Sequence, residues 1–267
     1  MDAALAQRIL GQADASDSLP RLGGMARSNG VVIVSERFWA FADRDGAVHE
    51  GAMPLARGRL GHLRRLPFLR GLVRLAASLA PLFRGRGVAS RRERALVGAA
   101  VLSPFLLFLL PPALERAAWL AVTAGLLAWL VRGRTLNLHG AEHRAIGAAE
   151  HRRLLDTWSG SARPSRFSLR CGTNFAALVL PVSVLAEVLW PLPWMLWTPF
   201  AVTLLSLALT MELWELVQGS PHATVKGLLL PGLGLQRMTT REPSLAETQL
   251  ALVAVASVLR REAEGSS

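Results

Sequence analysis

Residues 95–113 read ALVGAAVLSPFLLFLLPPA, and residues 117–131 read AAWLAVTAGLLAWLV. Neither run carries a charge, and two more apolar runs follow at residues 175–192 and 197–217. Crossing a bilayer takes roughly 17–25 apolar helical residues, so all four runs are candidate spans, the second being short. The members of each pair are joined by minimal connections, residues 114–116 and 191–194, which predicts two helical hairpins. Trp119, Trp129, Trp190, Trp194, Trp197 and Trp214 fall near the run ends, where interfacial tryptophans sit.

Working outward, the rest of the chain is polar and basic. Hydrophobic residues make up 51% of the sequence, yet the formal net charge is +11. The mean hydropathy is +0.33 and the isoelectric point about 11.6. Segregation reconciles these values, because arginine-dense stretches alternate with the apolar runs. Lys226 is the sole lysine. With apolar spans present, a bilayer with anionic headgroups is a simpler partner for this charge than nucleic acid. Arginines crowd residues 57–94 and 132–170 and are nearly absent from the short connections, apart from Arg116. The positive-inside bias therefore predicts an inner-membrane, multi-pass protein with both termini and the central loop cytoplasmic. Cys171 is the sole cysteine, which excludes an intrachain disulfide and a Cys-x-x-Cys zinc site.

The expected architecture is an all-α membrane protein with four transmembrane helices in two hairpins and a small N-terminal β-hairpin. Residues 1–22 read as a disordered lead. Residues 23–94 hold a β-hairpin, predicted from residues 31–42, the turn Asp43-Arg44-Asp45-Gly46 and residues 47–53. They also hold a basic amphipathic helix over residues 66–83, expected to lie on the membrane surface with Arg70 and Arg74 among its leucines. Transmembrane hairpins at 95–131 and 175–217 flank a cytoplasmic motif loop at 132–174. A cytoplasmic tail covers 218–267. Within it Ser244-Leu245-Ala246-Glu247 is a capping box that starts a helix to about residue 262, and residues 265–267 are expected to be disordered.

Chemistry concentrates in His139-Gly140-Ala141-Glu142-His143 and in Glu150 beyond it. At about 100° per residue, positions 139, 143 and 150 share roughly 40° of a helix face, with Glu142 about 60° to the other side. Imidazoles at i and i+4 can chelate one divalent ion, with zinc the leading choice. The order His-x-x-Glu-His has the inverted-zincin form, in which the glutamate is the base. His139 and His143 are thus candidate metal ligands, Glu142 the candidate catalytic base, and Glu150 or Cys171 the third ligand. The alternative is a hydrogen-bonded polar cluster bracing the central loop. Cys171 as a nucleophile is weighed against a capping and packing role. Glu187, Glu212 and Glu215 fall inside the apolar runs, where a carboxylate needs a partner, and Glu212 is placed within reach of the His139 helix.

Three blocks, HGAEHRAIGAAE at 139–150, RCGTNF at 170–175 and PGLGLQRMTTREP at 231–243, resemble the signature blocks of the YqhQ-like family (DUF 1385). The segment PFLRGLVRL at 67–75 resembles that family's piece before its spans. The family comprises bacterial membrane proteins and related plastid ones, described as predicted metal-dependent enzymes. The resemblance implies that His139, Glu142, His143, Glu150, Arg170, Cys171, Thr173, Thr239, Thr240 and Glu242 occupy motif positions, and that Glu212 matches a family glutamate. The chain departs after Gly23-Gly24, where Asn29 stands at an expected glutamate.

Two functions are expected. One is a metal-dependent hydrolase at the cytoplasmic membrane surface. The other is a non-catalytic factor for assembly or scaffolding of other membrane proteins, acting through them or through self-association.

Overall fold

A computed structural model describes residues 1–54, 66–85, 87–107, 109–130 and 134–265. Arg57, Arg59, Arg64, Arg65, Arg86, Arg132, Ser266 and Ser267 lie outside the described residues, as do the side chains of Trp119 and Trp129.

Four strands, β1 (Gly23–Ala26), β2 (Gly30–Val34), β3 (Phe38–Asp43) and β4 (Val48–Ala52), form one antiparallel sheet in sequence order. The sheet is larger than the expected hairpin for two reasons. The run 31–42 breaks at Ser35, whose hydroxyl accepts hydrogen bonds from the backbone N–H of Arg37 and Phe38 and so forms a turn. The glycine-led segment Gly23–Ala26, with little β-branched signal, adds a fourth strand by pairing with Val31–Val34.

The lead expected to be disordered holds α1 (Ala3–Asp14), capped by Asp2 and buried through Ala6, Leu10 and Ala13. Helix α2 spans Leu69–Arg84, α3 Arg91–Leu107, α4 Pro112–Leu130, α5 Thr135–Glu150, α6 Leu154–Ser159, α7 Gly172–Val188 and α8 Thr198–Gly219. Short α9 (Ala223–Lys226) and a 3₁₀ turn lead to α10 (Leu230–Thr239) and α11 (Leu245–Glu264).

Helix α11 is the centre of the core. Ala251, Leu252, Ala254, Val255, Ala256 and Val258 are fully buried against α1, α5, α6 and the sheet residues Val31, Ile33, Ala40 and Ala42. Its small residues let neighbours approach closely, and the Ser244–Glu247 capping box satisfies its N-terminal N–H groups. The Asp14 carboxylate at the end of α1 accepts from Leu154 and Leu155 N–H, closing the start of α6.

Four transmembrane helices in two hairpins are not found. Among the described residues, one helix, Thr198–Gly219, is long and apolar enough to cross a membrane. Only residues 95–107 of the run 95–113 lie in a 17-residue helix, which begins in Arg91, Arg92, Glu93 and Arg94. Its Glu93 pairs with the buried Arg27 at 2.8 Å, tying that end to the sheet. The run 117–131 starts inside a helix with Glu115 in its first turn. The third run forms the 17-residue α7, which carries Pro181. Counting apolar residues without the charged turns that begin α3 and α4, or the shortness of α7, inflates the number of spans.

Helix α2 packs on α8. Its Arg70 donates from Nε to the Glu212 carboxylate at 2.6 and 2.9 Å, and Arg74 pairs with Glu215. Glu212 therefore meets α2 and not the His139 helix, and Glu187 is exposed in the last turn of α7.

Candidate metal centre

Helix α5 carries His139, Glu142 and His143, and eleven of its residues are buried, so it is embedded on nearly all sides. The tail crosses it closely. A Cβ on Gly140 would stand 2.2 Å from the Arg241 carbonyl oxygen, so glycine inside the motif permits that crossing. Arg241 N–H donates to Leu136 O at 2.9 Å, and Asn137 Nδ2 donates to Glu242 O at 2.9 Å. The Glu242 carboxylate in turn takes Arg144 at 2.6 Å and Arg166 at 3.8 Å.

These crossings bring His139, His143 and Cys171 together. One donor atom from each lies within 4.8 Å of the others. His139 Nδ1 sits 2.8 Å from Thr239 O and His143 Nδ1 2.6 Å from Arg166 O, so each Nδ1 donates its proton to a backbone carbonyl. That fixes the tautomer and leaves each Nε2 as an acceptor, as outer partners do for metal-binding histidines. His139 Nε2 lies 3.1 Å from Cys171 Sγ. His143 Nε2 is buried with no partner. Cys171 caps the N-terminus of α7, and its sulfur accepts from Thr173 N–H at 3.4 Å and Thr173 Oγ1 at 3.2 Å.

Burial keeps both imidazoles neutral. It lowers the His139 pKa against the pull of the Thr239 carbonyl. Burial and then the neighbouring His139 push His143 down to about 4. The Cys171 thiol is pushed up to about 12 by burial and by the nearby Glu142 carboxylate. Glu142 is raised to about 8 by burial, against a backbone hydrogen bond from Ala26. Strand β1 encloses it: a Cβ on Gly24 would stand 2.7 Å from Glu142 Oε1.

Glu150 stands apart from this cluster. It pairs with Arg170 at 2.6 Å, and both side chains are exposed. Asn29 lies in the β1–β2 connection and donates to Asp43 at 3.3 Å. Beneath the cluster is a polar lock that the sequence reading does not single out. Gln236 is fully buried, takes Ser168 N–H at 2.9 Å and donates to Ser168 O at 2.7 Å. Buried Asn174 donates to Ser168 O and Leu169 O at 3.0 and 2.8 Å. Buried Arg144 holds Pro164 O at 3.1 Å. All three lie inside the quoted blocks, and that position is the sequence signal that marks them.

Two imidazole nitrogens oriented by backbone carbonyls and one sulfur held by Thr173, with His143 and Cys171 buried and His139 partly so, make a donor set compatible with a divalent metal of the zinc type. The fold and this cluster thus define a mixed sheet-and-helix protein with an apolar helical layer beside a three-donor centre. The profile of a family described as "Protein of unknown function (DUF1385)" matches residues 97–261, and the chain belongs to that family. It is also similar to "Uncharacterized protein YqhQ" of Bacillus subtilis (strain 168), 31% identical over 134 residues. That match covers 49% of this chain and 42% of the relative, so the chain accounts for well under two thirds of the relative's length. No solved structure matches the chain significantly.

Proposed function

We propose that this protein is a membrane-associated, metal-dependent hydrolase whose centre is His139, His143 and Cys171. The observation that carries this reading is the unpartnered, buried Nε2 of His143 beside two further donors, in a fold that pairs almost every other group of the site. A buried acceptor without a partner costs about 1–3 kcal/mol, and a bound ion would remove that cost.

His139 and His143 would each give Nε2 and Cys171 its sulfur. Bound there, a zinc-like ion with three protein donors keeps one position for water or substrate and supplies a nucleophile at neutral pH. Thr239 and Arg166 hold the two rings in the required tautomer. The two hydrogen bonds from Thr173 favour the deprotonated sulfur that a metal needs. Glu142, raised to about 8, holds a proton near neutral pH and would be the group that exchanges it. Glu150 is left outside the ligand set by its pairing with Arg170.

Membrane association rests on α8 and its surroundings. Only 33% of the most apolar window of α8 is buried inside the protein. Leu180, Val184, Leu185, Val188 and Leu189 of α7 and the neighbouring connection, with Leu196 and Trp197, are also exposed, and clustered exposed apolar side chains of this kind mark a membrane or protein contact. The α8 hydroxyls of Thr203, Ser206 and Thr210 each donate to a carbonyl one turn back, so their protons are satisfied without water.

Elemental analysis of protein purified without a histidine tag or chelator tests the centre. Close to one equivalent of a transition metal is expected, lost in His139→Ala and in His143→Ala. Less than about a tenth of an equivalent, even after incubation with zinc, overturns the reading. The burial of His143 and Cys171 favours a second reading, a metal-braced scaffolding factor. Glu142→Gln separates the two. In a hydrolase it retains the metal and abolishes metal-dependent hydrolysis, whereas in a scaffold it changes stability alone.

A further inference from the structure

A cleft of about 620 Å³ opens beside His143, and its wall is strongly basic. Arg153, Arg163, Arg170 and Lys226 line it, against one carboxylate, Glu150. Glu150 is already paired with Arg170, and Arg153 has Asp156 at 3.4 Å. Among the described residues, neither Arg163 nor Lys226 has an ion-pair partner. The cleft therefore concentrates positive charge that the fold does not neutralise.

Apart from the His143 and His151 rings, two serines and an amide add further donors. Ser165 and Ser168 line the cleft, and each hydroxyl oxygen already accepts a backbone N–H, from Phe167 at 3.0 Å and Arg170 at 3.1 Å. Each O–H is thereby left to be given. Gln218 lines the same cleft with its Nε2 buried and unpartnered, while its Oε1 is taken by Arg21 at 3.1 Å. Cations, hydroxyls and an amide N–H converging with a single carboxylate form a receptor for an oxyanion with several acceptor oxygens.

The location narrows the class. Gln218 lies in the last turn of α8, the helix long enough to cross a membrane, and Lys226 ends the following short helix. Exposed Phe167 and Leu169 add apolar surface to the lining. We propose that this cleft binds a phosphate-bearing group, with the cationic wall taking the phosphate. The binding step stands on the cleft's own residues; that the bound group is the substrate of the adjoining centre rests on the metal reading above.

The test uses the full chain in a maltoside detergent, free of lipid, and in vesicles. Inorganic phosphate is titrated calorimetrically, and flotation compares phosphatidylcholine vesicles with and without phosphatidic acid. The double variant Arg163→Gln/Lys226→Gln is set beside Arg91→Gln/Arg92→Gln, an equal loss of charge at exposed sites outside the cleft. Saturable binding that falls tenfold or more in the first variant, and less than twofold in the second, is expected. If inorganic phosphate shows this pattern, the free anion suffices. If only phosphatidic acid vesicles show it, the source is a lipid headgroup. Equal losses in both variants mean bulk electrostatics and overturn the proposal, as does an absence of binding to either probe. Repeating the titration after chelation separates the two readings. Binding that survives in protein that takes up no metal even after incubation with zinc keeps the cleft and refutes the centre, whereas metal uptake without cleft-dependent binding does the reverse.

Discussion

Helices α8 and α11 are similar in length, 22 and 20 residues, and differ in how far the rest of the protein covers them. Helix α11 begins with a capping box, ends in Arg260, Arg261, Glu262 and Glu264, and buries Leu252, Val255 and Val258 completely inside the protein. Its terminal charges pair with the sheet, Arg260 with Glu50 and Glu262 with Arg37. Helix α8 has no side-chain cap and leaves two thirds of its apolar window unburied. Its two carboxylates are taken by arginines of α2. The lesson is that apolar content alone does not say what an apolar helix is packed against. The polar groups at its ends add what the apolar residues leave out: those of α11 pair with the sheet and its turn, and those of α8 pair with α2.

The largest effect should separate these regions directly. Leu252→Ala removes a fully buried side chain from the core and should cost about 2–5 kcal/mol in urea unfolding in mild detergent. Leu180→Ala, at a side chain 72% exposed on α7, should change stability by less than about 0.5 kcal/mol. Equal costs would mean that the α7–α8 layer is covered by protein and that the contrast drawn above fails.

The sequence displays the centre more fully than the fold. His139 and His143 are one helical turn apart, so their convergence follows from local geometry, and Cys171 is recognisable as a lone thiol at a helix start. Glu150 shares their helical face, but its neighbour Arg170 arrives from another part of the chain, and helical phase says nothing of that contact. The same limit hides the core. Nothing local in Ala251–Val258 distinguishes an exposed tail helix from the one around which α1, α5 and the sheet assemble. Strand β1 is invisible for a different reason. Two glycines, a methionine and an alanine have weak strand preference, and the segment is extended because β2 pairs with it and Glu142 needs a backbone partner there.

The centre lies on the seam between the two regions, since α5 belongs to the core and Cys171 starts α7. Its charge state should therefore show in overall stability. In chelated protein, Glu142 has a folded pKa of about 8 against an unfolded value near 4.5. Its contribution is full below pH 4.5 and is lost as pH rises through 8. His143 runs the other way. Its folded value of about 4 lies below an unfolded value near 6.5, so its contribution is full above 6.5 and is lost as pH falls through 4. Between pH 4.5 and 6.5 the two slopes oppose. From 6.5 to 8 Glu142 acts alone and should remove roughly 2 kcal/mol. Urea midpoints of chelated wild type should fall across that interval, and those of Glu142→Gln should not. A variant that falls as steeply as wild type shows that another group carries the buried proton.

The smallest effect concerns how the two helices begin. Ser244 Oγ accepts from Glu247 N–H at 3.2 Å, and the Glu247 carboxylate returns a bond to Ser244 N–H at 2.8 Å. Ser244→Ala should cost about 1 kcal/mol in urea unfolding, the usual worth of a side-chain cap. At α8 the corresponding residue is Trp197, which caps nothing, stacks edge-on near Trp190 with ring centroids 6.0 Å apart, and gives its indole N–H to Met195 Sδ at 3.2 Å. A capping hydroxyl should help if that helix starts in water, so Trp197→Ser should then raise stability by a similar amount. If it starts at a bilayer surface, the tryptophan is an anchor whose ring prefers the headgroup level. Trp197→Ser should then leave unfolding within about 0.5 kcal/mol and weaken flotation with vesicles. We expect the second pattern, because Trp194, Met195 and Leu196 beside it are all exposed. A stabilised variant with unchanged flotation would put the start of α8 in water and remove the main difference between the two helices.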